Sequence, residues 1–155
     1  MKHPPTPIQI REGRPEDAAL IAEYNQRMAL ETEGKELDSE TVVKGVEQGL
    51  HQPEKCRYFV AEVRGSVIGQ AMVTYEWSDW RNGDLWWIQS VYVHPDHRRQ
   101  GIFKKLYQHI ETLAREDTNV RGLRLYVEEE NAAGQAVYKK LGMSHAGYHV
   151  YEREF

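Results

Sequence analysis

The chain has 155 residues, of which 40% are apolar and 28% charged, a composition typical of one soluble globular domain that can bury a core. A formal net charge of −4 argues against bulk nucleic-acid binding, which needs a basic face. The lone cysteine, Cys56, excludes a disulfide within the chain and favours a cytoplasmic setting, and no run reaches the roughly 18 apolar residues of a membrane span.

The first third of the chain predicts an arm, a strand and two helices. Residues 1–7 contain three prolines and no apolar segment, so we expect a flexible arm rather than a signal peptide, with the folded domain at residues 8–155. Residues 8–11 alternate as a short strand does. A helix is predicted to open at residues 14–17, Gly34 interrupts it, and Asp38 or Ser39 caps a second helix.

The remaining residues change to strand periodicity and then alternate between strands and helices. The predicted strands cover residues 58–63, 67–77, 85–93, 123–127 and a final region at 143–155, and the predicted helices run from Gly101 and from Asn131. Residues 64–66 read as a tight hairpin turn. We therefore predict one mixed α/β domain.

A basic segment lies between the apolar strand at 85–93 and the next helix. A helix N-terminus has free N–H groups and a partial positive charge, so it binds anions. Gly101 allows close backbone approach, and Arg98, Arg99 and Lys104 carry charges suited to phosphates. The segment predicts a diphosphate cradle, although a basic helix start is more often only solvated.

The helix that begins after Asn131 offers a polar anchor and a phenol. Asn131 is a good N-cap, and Tyr138 lies seven residues later on the same helical face, about 10 Å along the axis. On its own, this pattern is equally that of a capped helix with a core tyrosine.

Taken together, these segments resemble the GNAT superfamily of N-acetyltransferases. Three parts match in order and spacing: Val91, Tyr92 and Val93 followed by His94 and Pro95; the Arg-x-x-Gly-x loop from Arg98 to Phe103; and residues 131–143 with Tyr138, Lys140 and Gly142. The family often has Gly or Ala where this chain has Phe103. The resemblance implies a mixed, mostly antiparallel sheet flanked by about four helices.

The resemblance also implies roles for individual residues. Acetyl-CoA would be the cosubstrate, with no metal. Its pantetheine arm would pair with the strand at Val91, Tyr92 and Val93 and would contact Asn131, and Tyr138 would donate a proton to the leaving thiolate. The pyrophosphate would be held by the loop residues Arg98, Arg99, Gln100, Gly101, Ile102, Phe103 and Lys104.

The sequence offers several candidates for the general base. Many members of the superfamily carry a glutamate on the central strand, where this chain has Trp87 and Gln89. Glutamine cannot take a proton but can bind a water or orient a substrate, so we expect a water-relayed base. Together with Tyr138, the catalytic candidates are Gln89 and Glu33. Other carboxylates that could serve as the base are Glu31, Glu76, Asp79 and Asp84.

Acidic and aromatic residues indicate the acceptor. Carboxylates with aromatic faces suit a cationic amine, and the candidate substrate residues are Glu31, Glu33, Trp77, Trp87 and Gln89, with Trp80 and Trp86 as further aromatic candidates. The tryptophans could equally pack a core or a dimer interface. We expect a small-molecule amine as substrate, and by analogy a homodimer. The alternatives are a protein or peptide N-acetyltransferase, a non-catalytic acyl-CoA-binding module, and an assembly role.

Overall fold

The computed structural model describes residues 6–155 and contains two compact units, one ending at Leu125 and the other covering Tyr126–Phe155. Of the arm expected at residues 1–7, residues 1–5 lie outside the described part of the chain. Thr6 and Pro7 belong to no helix or strand, and the Thr6 hydroxyl accepts a hydrogen bond from Arg64 Nη2 at 3.1 Å.

The elements follow the predicted order except at the end of the chain. The strands are β1 Gln9–Glu12, β2 Cys56–Val63, β3 Ser66–Ser78, β4 Gly83–Val93 and β5 Val120–Leu125. The helices are α1 Ala18–Glu33, α2 Ser39–His51, α3 Ile102–Glu116 and α4 Ala132–Lys140. None of these helices has the length and apolar character that crossing a membrane would require, within residues 6–155.

The five strands form one sheet in the order β1-β2-β3-β4-β5. The first three pairings are antiparallel and the pairing of β4 with β5 is parallel. Short turns join β2 to β3 and β3 to β4, whereas α1 and α2 lie between β1 and β2. The parallel pair needs a crossover, which α3 supplies. The α/β class, with a mixed and mostly antiparallel sheet and four helices, is confirmed.

Helices cover both faces of the sheet. Tyr58 and Val60 on β2 pack with Ile21, Ala22 and Val46 from α1 and α2. Because side chains alternate along a strand, Phe59 projects from the opposite face. There its ring meets His109 of α3 at 5.5 Å between centroids. The sheet is therefore a buried central layer, and its middle strands are held from two sides.

Local signals account for most of the helix boundaries. A short 3-10 helix at Pro15–Asp17 precedes α1, which suits a proline that has no N–H to donate. Asp38 is the N-cap of α2 and accepts from the Thr41 N–H at 3.0 Å, as one of the two predicted caps. Gly34 ends α1 in a left-handed conformation with φ of 63°.

Two strand predictions need correction. The strand predicted at residues 123–127 is displaced, because β5 spans Val120–Leu125 and its register is set by pairing with β4. The final strand predicted at residues 143–155 is wrong, since no strand occurs there. The alternation of Tyr148 and Val150 is a strand pattern, but both side chains are about two-thirds exposed, 66% and 65%. A strand requires a hydrogen-bonded neighbour as well as a pattern.

Candidate functional site

A bulge interrupts β4 where it passes the middle of β3. Met72 pairs with Gln89 and Gln70 pairs with Tyr92, so β4 advances three residues while β3 advances two. Ser90, inside the bulge, has φ of 51°, a left-handed conformation that few non-glycine residues adopt. As a result, Gln89 and Tyr92 project from the same face of the sheet, whereas a regular strand would place them on opposite faces.

β4 and β5 part before β4 ends. Their parallel pairing stops at Ile88 and Leu125, whereas β4 continues to Val93. Among the described residues, positions 89–93 therefore have no ladder partner in β5, and an extended ligand chain could pair there as an added strand does. The predicted pantetheine-binding residues lie in this stretch: Val91, Tyr92 and Val93.

The segment after β4 leads into an uncapped helix N-terminus. Pro95–His97 forms a short 3-10 helix, and Arg99 and Gly101 then adopt left-handed conformations with φ of 63° and 75°. Gly101 is the N-cap of α3 and supplies no side chain to cap it, so the first-turn N–H groups lack acceptors within the helix. A Cβ at Gly101 would meet no atom within 4 Å. This arrangement suits an anion such as a diphosphate.

The side chains of the predicted loop separate into two groups. Arg99, Gln100 and Lys104 are exposed. Ile102 is in the core at 2% exposure, and the Phe103 ring lies 6.2 Å from that of the buried Tyr107. Phe103 is thus accommodated by turning toward its helical neighbour. Backbone groups of this loop can face a ligand while its two apolar side chains anchor the helix.

Arg98 is held by its own chain. Its Nε donates to the Val93 carbonyl oxygen at 2.9 Å, and its Nη2 donates to Glu31 Oε2 at 2.8 Å. Its guanidinium also lies 5.4 Å from the centroid of the Tyr92 ring. Arg98 therefore links the end of β4 to α1, a role that the sequence pattern did not indicate.

The two acidic candidates for the acceptor site lie on α1, not in the loop after it, because the helix continues to Glu33 before Gly34 ends it. Glu31 accepts from Arg98 and, at 3.3 Å, from the Tyr92 hydroxyl. Glu33 is half-exposed and has Lys35 Nζ at 3.8 Å. Of the two, Glu33 has the weaker internal contacts.

The predicted central-strand residues lie on the same face of the sheet as α1 and α2. Gln89 is half-buried and its Nε2 donates to Thr74 Oγ1 at 2.6 Å. The guanidinium carbon of Arg124 lies 5.9 Å from the centroid of the Trp87 ring, and Arg124 Nη1 lies 2.9 Å from Glu76 Oε2. The half-buried candidates on this face thus combine an aromatic surface, an amide and an ion pair.

The other tryptophans lie elsewhere. Trp86 is buried on the opposite face, with its ring 6.0 Å from that of Tyr75, so it belongs to the core and not to an acceptor site. Trp77 and Trp80 are exposed, at 63% and 86%. Trp77 remains a candidate that extends outward near the end of β3.

The second unit contains the other predicted contacts. Asn131 is the N-cap of α4 and accepts from the Gly134 N–H at 2.9 Å. The Tyr138 side chain is half-buried, and burial raises the pKa of its phenol. The phenol is therefore protonated at neutral pH, the form that can donate a proton, and its raised pKa makes it a weaker acid than a free tyrosine.

Sequence reasoning missed Gln70 on β3 and Asn25 on α1. Gln70 is fully buried and its Nε2 donates to Asn25 Oδ1 at 2.8 Å and to the Ser90 carbonyl oxygen at 3.1 Å. A glutamine within an apolar strand was the available signal, since buried amides need partners. The bulge that brings Ser90 to Gln70 has no signature in the residues themselves.

Comparison with known proteins gives a consistent result. The model of the acetyltransferase (GNAT) family matches residues 10–143. A solved structure described as a possible acetyltransferase from Clostridium difficile 630 is 48% identical, with a TM-score of 0.89 over 96% of this chain and 97% of that chain.

Two curated relatives match shorter regions. A thialysine N-epsilon-acetyltransferase of Bos taurus is 30% identical over 76 residues, or 49% of this chain and 44% of that protein. An acetyltransferase of Yersinia pestis (strain Pestoides F) is 33% identical over 94 residues, or 59% and 58%. The chain thus spans about half the length of the curated relatives it matches. On the extent of the family match and the fold, the chain belongs to the acetyltransferase (GNAT) family.

Proposed function

We propose that this protein transfers an acetyl group from acetyl-CoA directly to a primary amine. The observation that carries the proposal is the combination of the bulged end of β4, which pairs with β3 but no longer with β5, and the uncapped N-terminus of α3 that follows it. One feature suits an extended pantetheine arm and the other a diphosphate. These are the two chemical parts of coenzyme A that any acyl transfer from it must hold.

The proposed reaction needs no covalent enzyme intermediate. The amine nitrogen, once deprotonated, forms a bond to the thioester carbon, and the carbonyl oxygen becomes an oxyanion that backbone N–H groups can stabilise. The carbonyl forms again as the carbon–sulfur bond breaks, and the electron pair of that bond leaves with sulfur. The nitrogen releases its second proton to water as it becomes an amide, and water returns a proton to the group that protonates sulfur. The leaving CoA thiolate resembles that of cysteine, whose thiol has a pKa of about 8.5. We therefore propose the Tyr138 phenol as its proton donor.

The amine must lose a proton because the pKa of a lysine-like amine is about 10.4. We propose that a water relays this proton, with Gln89 orienting the water and Glu33 as the carboxylate that accepts. Gln89 is already held by Thr74, which limits the directions in which its amide can point. Glu33 is half-exposed at the last turn of α1, so water can reach its carboxylate.

We propose a small cationic amine as the acceptor. Glu31, Glu33, Trp87 and Gln89 supply carboxylates, an aromatic surface and an amide, and Trp77 adds an exposed ring. Such a set suits an ammonium group. The named activity of the bovine relative, on the epsilon amine of thialysine, is of the same chemical class. A peptide amine on a protein remains the alternative within this reaction.

The test is calorimetric titration with acetyl-CoA, followed by a thiol-release assay with polyamines, aminoglycosides, amino acids and peptides. Binding together with release in the presence of one acceptor class supports the proposal and identifies that class. Peptides alone promoting release would replace the small amine by a protein substrate. If acetyl-CoA does not bind, the proposed function is wrong.

A second candidate function is a non-catalytic acyl-CoA-binding module. It is favoured by Gln89, an amide that cannot accept a proton at a central-strand position of β4. This function predicts acetyl-CoA binding without turnover with any acceptor, and no effect of Tyr138→Phe on the bound complex. Product formation with a single amine excludes it.

A further inference from the structure

Gln70 is a buried amide whose partners lie on two other elements. Its side chain is 0% exposed, and its Nε2 joins Asn25 on α1 to the Ser90 carbonyl in the β4 bulge. Its Oε1 is buried and has no partner among the described residues. A buried acceptor without a donor is costly to the fold, and the contact of the same amide with the bulge points to a role beyond packing.

The contact with Ser90 fixes the direction of the next N–H group. The peptide bonds of the described residues are trans, and in a planar trans peptide the Ser90 carbonyl and the Val91 N–H point in opposite directions. Gln70 holds the carbonyl, so the Val91 N–H points away from Gln70. Ser90 has φ of 51°, and a serine remains in that conformation only when its surroundings hold it.

We propose that Gln70 is a positioning residue that, by holding the Ser90 carbonyl, aims the Val91 N–H at the thioester oxygen of the bound acyl donor. The inference rests on the proposed function, because it requires a thioester lying along β4. The N–H donates to the oxygen as negative charge develops on it, and Gln70 itself touches no reacting atom. Asn25 holds Gln70 in turn, so α1 contributes to the same alignment.

The main test replaces Gln70 by methionine, which has a similar length and no amide. We expect kcat to fall about 10²-fold, the effect of misplacing a donor to the oxyanion, while the Kd of CoA without an acetyl group changes little. Isotope-edited infrared spectroscopy of bound acetyl-CoA supplies a direct readout. The thioester carbonyl should absorb at a lower frequency in the wild type than in Gln70→Met, because a hydrogen bond weakens the C=O bond.

A second variant gives a pH profile that a purely structural role would not produce. In Gln70→Glu the buried carboxyl can donate to the Ser90 carbonyl only when protonated, and burial raises its pKa. The kcat of Gln70→Glu relative to the wild type should therefore decrease as pH rises. If Gln70→Met does not fold, Asn25→Ala, which removes one of the two anchors, should shift the carbonyl band in the same direction by less.

Ser78→Ala is the matched control. Ser78 is a buried polar residue at the far end of the same strand, and its hydroxyl accepts a hydrogen bond from Arg81, three residues away. It should leave kcat and the carbonyl band unchanged. An unshifted band in Gln70→Met, with or without a fall in kcat, overturns the inference. A wild-type protein that binds no acetyl-CoA contradicts the proposed function instead, and a wild type that binds it with an unpolarised carbonyl contradicts the inference alone.

Discussion

Replacement of Gly101 by alanine separates backbone strain from ligand contact. Gly101 has φ of 75°, and a Cβ there would meet no protein atom within 4 Å. The change therefore costs only the left-handed conformation of an L-residue, about 1–2 kcal/mol. For a chain of this size, that loss should lower Tm by roughly 2–8 °C.

The chain provides a matched control at Gly65. This glycine has φ of 79°, an added Cβ would also meet nothing within 4 Å, and it lies in the turn between β2 and β3. Gly65→Ala should therefore lose the same free energy of unfolding. The two variants should differ only in what the methyl group meets when a ligand is bound.

At Gly101 the methyl group would lie where we propose that the diphosphate approaches the backbone. Losing one hydrogen bond to a charged group costs about 1.5–3 kcal/mol, which is about 10- to 100-fold in the Kd of CoA. Gly101→Glu adds bulk and negative charge at the same point and should abolish binding. Gly65→Ala should bind CoA as the wild type does.

Urea denaturation of both variants and calorimetric titration with CoA, at one ionic strength, measure the two effects separately. If Gly101→Ala binds CoA as tightly as Gly65→Ala, the loop does not approach the diphosphate and its assignment is wrong. A much larger stability loss at Gly101 than at Gly65 would contradict the geometry, because it would show that the open space at Gly101 is not available to a side chain.

Three further predictions concern single side chains. Tyr138→Phe should lower kcat about 10²-fold or more with little change in acetyl-CoA affinity, measured by steady-state thiol release; an unchanged kcat removes the phenol from the mechanism. Glu31→Gln removes the ion pair with Arg98 and leaves the hydrogen bond from Arg98 to Val93 in place. The Arg98 and Glu31 side chains are 43% and 42% exposed, so urea titration should show a loss of at most about 1 kcal/mol; a loss several times larger would contradict this. The Arg11 guanidinium, chiefly by its hydrogen bond, lowers the pKa of Asp17, so its stabilisation is present above the unfolded-state pKa of about 3.9 and is lost as pH falls through the lower folded-state value. Asp17→Asn should therefore be less stable by about 1–3 kcal/mol at neutral pH, with a difference that disappears in acid; a difference independent of pH would exclude the ion pair as its cause.

The sequence predicted the features that neighbouring residues control. Asp38 caps α2, Gly34 ends α1, and the turn at residues 64–66 joins two strands, each through interactions within a few residues. The loop before α3 was recognised for the same reason, because Gly101 and the helix behind it are adjacent in the chain. The final strand at 143–155 was wrong because alternation describes a face, and a strand also depends on a partner.

In the candidate site too, features set by adjacent residues were predicted and contacts between distant residues were not. The resemblance pointed to Val91 and Gly101. The structure places Val91 in the part of β4 beyond its pairing with β5, and Gly101 at an open helix N-terminus. The partners of Arg98 could not be predicted, since Glu31 is 67 residues away along the chain. The positive charge of Arg98 suggested that it binds phosphate, and the structure shows that its guanidinium also donates to Glu31 on α1.

The order of the elements as far as α4, the helix caps and the family could be predicted from the sequence, because these depend on local spacing and on residue type. The position of the bulge in β4, the point where β5 leaves it and the carbonyl that Gln70 holds are visible only in the folded chain. Those features depend on the register between strands that are far apart in the chain. Register is set by the simultaneous burial of both faces of the sheet, and no short segment of sequence contains that information.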